Sequence, residues 1–131
     1  MLVEAYSLNI EVDTNTAIPF NSVSIDKSCD EGLVSATTIE LNKKGVYLVS
    51  VDASLAAAAS IQLFKDGVAQ EQAQSTGTNP GFVTLVQASR NNCGCCACSP
   101  VTIQVKNTGD AAATFTNCKV TVIKLPCGGG I

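Results

Sequence analysis

Between Val46 and Leu55 the chain alternates residue by residue. Tyr47, Val49, Val51, Ala53 and Leu55 form one set, and Ser50, Asp52 and Ser54 point the other way. A period of two places one set on each face of an extended strand and cannot form a helical stripe. The same period recurs along most of the sequence. Leu2, Glu4, Tyr6, Leu8 and Ile10 fall on one face of an N-terminal strand, and Thr37, Ile39 and Leu41 on a short one. Ile61–Lys65, Phe82–Ala88, Val101–Val105 and Lys119–Leu125 complete the set. Ala56–Ala59 is the one helix-friendly run. A helix that short has no independent stability, so it reads as a strand edge or bend with small residues on a packed surface.

Turn chemistry separates these runs. Asn42-Lys43-Lys44-Gly45 breaks the chain before the clearest strand. Asp66-Gly67 is a hairpin signal, because both central positions of a type I′ turn need positive φ; Val68–Gln74 is the expected return strand. Ser75–Gly81 reads as a loop, and Asn107-Thr108-Gly109 as a turn. About eight to ten short strands at this spacing predict an all-β sandwich or barrel. The expected organisation is a single domain over residues 1–125 with a flexible Cys/Gly tail at 126–131.

Composition narrows the chemistry. The chain has no histidine and no tryptophan. A Ser-His-Asp or Cys-His nucleophile within one chain is therefore excluded, as is a two-histidine metalloprotease helix. The expectation is a non-enzyme with no catalytic residues. Charged residues are 15% of the chain, against about 25% in a typical soluble domain, which points to a surface partly covered by self-association. The net charge of −3 gives no electrostatic case for nucleic acid or an anionic membrane. Membrane insertion is not expected, because no run of about 18 apolar residues occurs. The opening Met1-Leu2-Val3-Glu4-Ala5-Tyr6 lacks the basic and apolar regions of a secretory signal and reads directly as a strand.

The order of motifs resembles the C1q/TNF-like jelly roll in its bacterial and phage form. The carrying segments are Ala17-Ile18-Pro19-Phe20-Asn21, then Ile39-Glu40-Leu41-Asn42 leading into Gly45-Val46-Tyr47-Leu48-Val49-Ser50-Val51. Ile61-Gln62-Leu63-Phe64-Lys65-Asp66-Gly67, Val101–Val105 and Val120–Leu125 follow. The resemblance implies a jelly-roll β-sandwich with about ten strands in two antiparallel sheets. It also implies a homotrimer with one sheet of each subunit around a three-fold axis. The partners expected are the chain itself, virion proteins or a cell-surface receptor, at a virion or bacterial surface.

Seven cysteines remain unexplained by the fold class. Cys93, Cys95, Cys96 and Cys98 form one run, Cys118 and Cys127 lie near the last strand, and Cys29 is in an early loop. Disulfides tying the run to Cys118 or Cys127 are the leading expectation, with the odd count leaving a free thiol or an interchain bond. A thiolate Zn²⁺ site of Cys93, Cys95, Cys96, Cys98 and Cys118 is the alternative. Zinc ligands usually stand two to four residues apart, so the tight run needs help from Cys118, Cys127 or a neighbouring subunit. Plain reduced thiols are the third reading. No other cofactor is expected. Asp26, Asp30 and Glu31 share a loop that suits Ca²⁺, although solvated loop charges are commoner. The loops Ser75–Gly81 and Asn91–Ser99 are the expected recognition surfaces.

Overall fold

The structure, a computed structural model, describes residues 2–27, 32–88 and 101–126. Among these residues there are eleven strands. They are β1 (Leu2–Val12), β2 (Thr16–Ala17), β3 (Ser22–Lys27), β4 (Gly32–Val34), β5 (Ile39–Leu41) and β6 (Gly45–Leu55). Then follow β7 (Ala59–Lys65), β8 (Val68–Gly77), β9 (Gly81–Ala88), β10 (Val101–Asn107) and β11 (Ala113–Lys124). One sheet runs β3-β1-β11-β6-β9 and the other β4-β5-β10-β7-β8, with β2 added beside β10. All pairings are antiparallel. The chain passes repeatedly from one sheet to the other, which makes the sandwich a jelly roll.

The alternation of β6 is realised as read: Tyr47, Val49, Val51, Ala53 and Leu55 are buried between the sheets. Ile39 and Leu41, Ile61 and Leu63, and Ile103 and Val105 meet them from the opposite sheet. Tyr47 is fully buried yet satisfies its hydroxyl by donating to the Lys43 carbonyl at 2.7 Å. The hairpin at Asp66-Gly67 has φ of 51° and 80°, the two positive values that a type I′ turn requires. Asp66 also accepts from the Thr102 amide at 2.9 Å, which docks the turn on β10.

Several expectations are corrected. In β1, Leu2, Glu4, Tyr6 and Leu8 do share one face, and it is the outer one; the core side is Val3, Ala5 and Ser7. Past Asn9, whose φ is 53°, the strand changes face and Ile10 and Val12 turn inward. The neighbouring β11 changes face at the same level. Thr116 is an extra residue there between the pairs Phe115–Leu55 and Asn117–Ser54, so Phe115 and Cys118 both point inward. A bulge of this kind adds one residue and bends the strand locally. β11 consequently begins at Ala113, six residues before the expected Lys119. Ala56–Ala58 do form the bend, but they are exposed rather than packed; only Ala59 is buried, at the start of β7. β8 continues to Gly77 and β9 starts at Gly81, which reduces the expected Ser75–Gly81 loop to three residues.

Candidate functional site

The two outer faces of the sandwich differ in character. On the six-stranded side the exposed row is polar and tied together. The Ser60 and Thr76 hydroxyls lie 2.7 Å apart, Gln62 Nε2 donates to the Gln70 carbonyl at 3.1 Å, and Gln104 Nε2 donates to Thr38 Oγ1 at 3.0 Å. Phe64, the aromatic side chain on that face, is covered by the Lys106 ammonium 4.4 Å from its ring centre.

The five-stranded side carries an apolar row instead. Register sets Leu2 beside Ile123, Ile123 beside Leu48, and Leu48 beside Leu85. Cross-strand partners share a face, so these four side chains run side by side across β1, β11, β6 and β9. Val83 lies two residues along β9 from Leu85, and the pair are 63% and 55% exposed. Ile123 and, further along β1, Leu8 are also exposed on this sheet. The next rows are Glu4–Thr121–Ser50–Val83 and Tyr6–Lys119–Asp52. Their charges are partly offset: Lys119 lies 3.8 Å from Glu4 and pairs across the ladder with Asp52, which leaves one net negative charge. Glu4 further accepts from the Ser24 hydroxyl at 2.5 Å. This sheet face is thus near-neutral with one apolar band. Exposed apolar bands of that kind mark association surfaces. Tyr6 is partly buried on this face.

A pocket of about 340 Å³ opens at one end of the sandwich. Its walls are the β6–β7 bend with Ala58, Ala59 and Ser60, the β10–β11 connection from Thr108 to Ala113, and Thr76 of β8. The β10–β11 connection is held from within by Asn107, which is fully buried. Asn107 Nδ2 donates to the carbonyls of Val12 at 3.0 Å and Ala111 at 3.1 Å, and its Oδ1 accepts from the Gly109 amide at 3.0 Å. The Thr108 amide donates to the Ser60 carbonyl at 2.9 Å, and the Thr14 hydroxyl donates to the Gly109 carbonyl. The pocket is therefore a preformed feature. Sequence reasoning missed it, although Asn107-Thr108-Gly109 and the alanine run at 56–59 both carry it, and Thr76 belongs to a loop that was expected to take part in recognition.

Of the cysteine set, Cys93, Cys95, Cys96 and Cys98 lie outside the described residues, as do Cys29, Cys127 and the loop Asn91–Ser99. So do Asp30 and Glu31 of the expected Ca²⁺ loop. Cys118 is described, as a free thiol 1% exposed in the core. It pairs with Ser7 and Ala53, themselves buried. Its pKa is pushed up to about 12, chiefly by burial and then by the nearby Asp52 charge. Zinc and disulfide exchange both use the thiolate, whereas Cys118 sits among core residues of β1, β6 and β11 as a buried free thiol. No group of three or more His, Cys, Asp or Glu suited to a metal occurs among the described residues.

No protein-family model matches the chain, and no curated protein matches it in sequence. Solved structures do. The globular domain of zebrafish complement 1qA superposes with a TM-score of 0.73 at 8% identity, covering 95% of this chain and 97% of that one. Murine APRIL gives 0.67 at 8% identity, over 95% and 100%. The PRD1 vertex protein P5 gives 0.61 at 9% identity, over 95% and 96%. Identities this low speak to architecture alone. Sheet order, strand number and these superpositions agree: this chain has the C1q/TNF-like jelly-roll fold.

Proposed function

We propose that the chain is a non-enzymatic structural and interaction module that assembles as a homotrimer through the outer face of its five-stranded sheet. The observation that carries this reading is the row Leu2–Ile123–Leu48–Leu85. Burying an exposed aliphatic side chain contributes roughly 1.5–3 kcal/mol. Three copies meeting on this face would each withdraw Val83, Leu85 and Ile123 from water. Lys119 offsets one of the carboxylates of Glu4 and Asp52, so the rows beside the band bring only one net negative charge per copy against the apolar gain. The lack of histidine supports a role outside catalysis. A virion or bacterial surface is the location this reading takes, with virion proteins or a surface receptor as further partners. One protein of the same fold is named a vertex protein. Substituting Leu85→Asp together with Ile123→Asp is the direct test: trimers should dissociate to folded monomers, and persistence of the trimer would remove the band from the account.

A second reading concerns the cysteines and rests on where the described strands end. Lys27 pairs with Leu2, Gly32 and Val101 both face Leu41, Ala88 pairs with Gly45, and the Leu125 amide donates to the Val46 carbonyl at 2.9 Å. The residues that flank all three cysteine-bearing segments therefore leave the sandwich at one end. On this reading Cys93, Cys95, Cys96 and Cys98 make the module redox- or zinc-responsive, with Cys127 or a neighbouring subunit completing a tetrahedral set in place of Cys118. Metal analysis beside a thiol count under denaturing conditions tests it. Protein free of zinc with all seven thiols titratable would refute both forms.

A further inference from the structure

The pocket between the β6–β7 bend and the β10–β11 connection has no part in the proposed assembly. It lies where β6 ends and β11 begins, away from the Leu2–Leu85 row at the other end of the sheet. Its two walls are alanine runs facing each other: Ala58 and Ala59 on one side, Ala111, Ala112 and Ala113 on the other. The exposed Ala58, Ala111 and Ala112 give the lining its apolar part, Ala59 and Ala113 pack against the core, and the serine, threonine and aspartate groups make an equal polar part. Asn107 fixes one wall from the inside, so the space does not depend on a ligand to form. The volume of about 340 Å³ stands at the small end of ligand sites, with room for one long side chain and the backbone that presents it.

The polar groups narrow the occupant. Asp110 is the one charged residue in the lining; it is exposed and forms no ion pair among the described residues. Ser60, Thr76 and Thr108 add hydroxyl oxygens, which accept hydrogen bonds. An anion is disfavoured by the Asp110 carboxylate. A sugar is disfavoured because no aromatic ring lines the pocket for its face to stack on. An occupant with an apolar stem and a cationic head matches both features, since a lysine side chain keeps its methylenes on apolar surface and its ammonium beside acceptors. We propose that this pocket receives a lysine side chain presented by a protein partner. The four methylenes lie between the alanine walls, and the ammonium meets the Asp110 carboxylate and the hydroxyl oxygens.

The test uses the full chain and three small probes: Nα-acetyl-lysine methylamide, the neutral Nα-acetyl-norleucine methylamide, and a methyl galactoside. Amide chemical shifts are followed by NMR as each is titrated. The lysine probe should move the amides of Ser60, Thr76 and Thr108–Ala113 saturably. Asp110→Asn should weaken it by up to about fivefold, the scale of a partly exposed ion pair. Ala112→Leu should abolish the response by filling the space, and an otherwise unchanged spectrum will show that each variant is folded. Norleucine binding as tightly as lysine, a preference for the galactoside, or no shift with any probe would each overturn the proposal.

Discussion

Asn107→Ala is the perturbation whose magnitude follows most directly from the geometry. Asn107 is fully buried and serves three hydrogen bonds, to the Val12 carbonyl, the Ala111 carbonyl and the Gly109 amide. Each bond contributes about 0.5–1.5 kcal/mol net, and a buried group left without a partner costs about 1–3 kcal/mol. The Val12 carbonyl partner is inside the sandwich, whereas the Ala111 and Gly109 groups lie toward the surface and regain water. The loss is therefore about 2–4 kcal/mol. In urea, at one fixed protein concentration, an m-value of about 1.5 kcal/mol/M turns this into a midpoint lower by roughly 1.3–2.7 M. Asn107→Asp adds a sign test. Its carboxyl faces two carbonyls in a buried site, which raises its folded pKa above the unfolded value of about 3.9. Its stability is then fullest below that unfolded value and is lost as pH rises through the folded one. A midpoint shift under about 0.3 M for the alanine variant, or an aspartate variant that gains stability as pH rises, would refute the idea that Asn107 holds the loop.

Three further outcomes are expected. Phe115→Ala, at a fully buried position facing the core, should cost about 3–5 kcal/mol in chemical unfolding. Gly67→Val should destabilise the hairpin by about 1–2 kcal/mol or more, because a β-branched residue must then hold φ near 80°. Cys118 should resist alkylation at pH 8 until denaturant is added. Because its thiol rises from 9.0 to about 12 on folding, its contribution is complete below pH 9 and declines above it. Cys118→Ala should therefore flatten the alkaline loss of stability between pH 9 and 12, as read by thermal melts.

The sequence shows most where a strand has one wet and one dry face. β6 is such a strand, and its five inward residues were assigned from alternation alone. The Asp66-Gly67 hairpin was equally readable, because its backbone requirement selects few residue pairs. In β1 the inward side was not legible, because both faces carry apolar residues: Val3 and Ala5 line the core, while Leu2 and Leu8 lie on the outer face. Alternation cannot choose between a core and an association surface. Ser7 adds to the ambiguity, since it is buried and satisfied by donating to the Pro19 carbonyl. The first half of β11 was hidden by its bulge, which puts Phe115 and Cys118 on the same side at a spacing of three. β2, β3 and β4 are short edge or flanking strands and owe their pairing to neighbours remote in sequence. The pocket is built by backbone turns and methyl groups, and alanine runs announce nothing about what they enclose.

The central claim is self-association on the five-stranded sheet, and the mass of the purified chain in solution tests it most directly. Sedimentation equilibrium at micromolar concentration, in the presence of a reductant, should give three times the 13.5 kDa of one chain. The Leu85→Asp, Ile123→Asp double variant should return the mass of one folded chain. A wild-type mass of 13.5 kDa under those conditions would contradict the account.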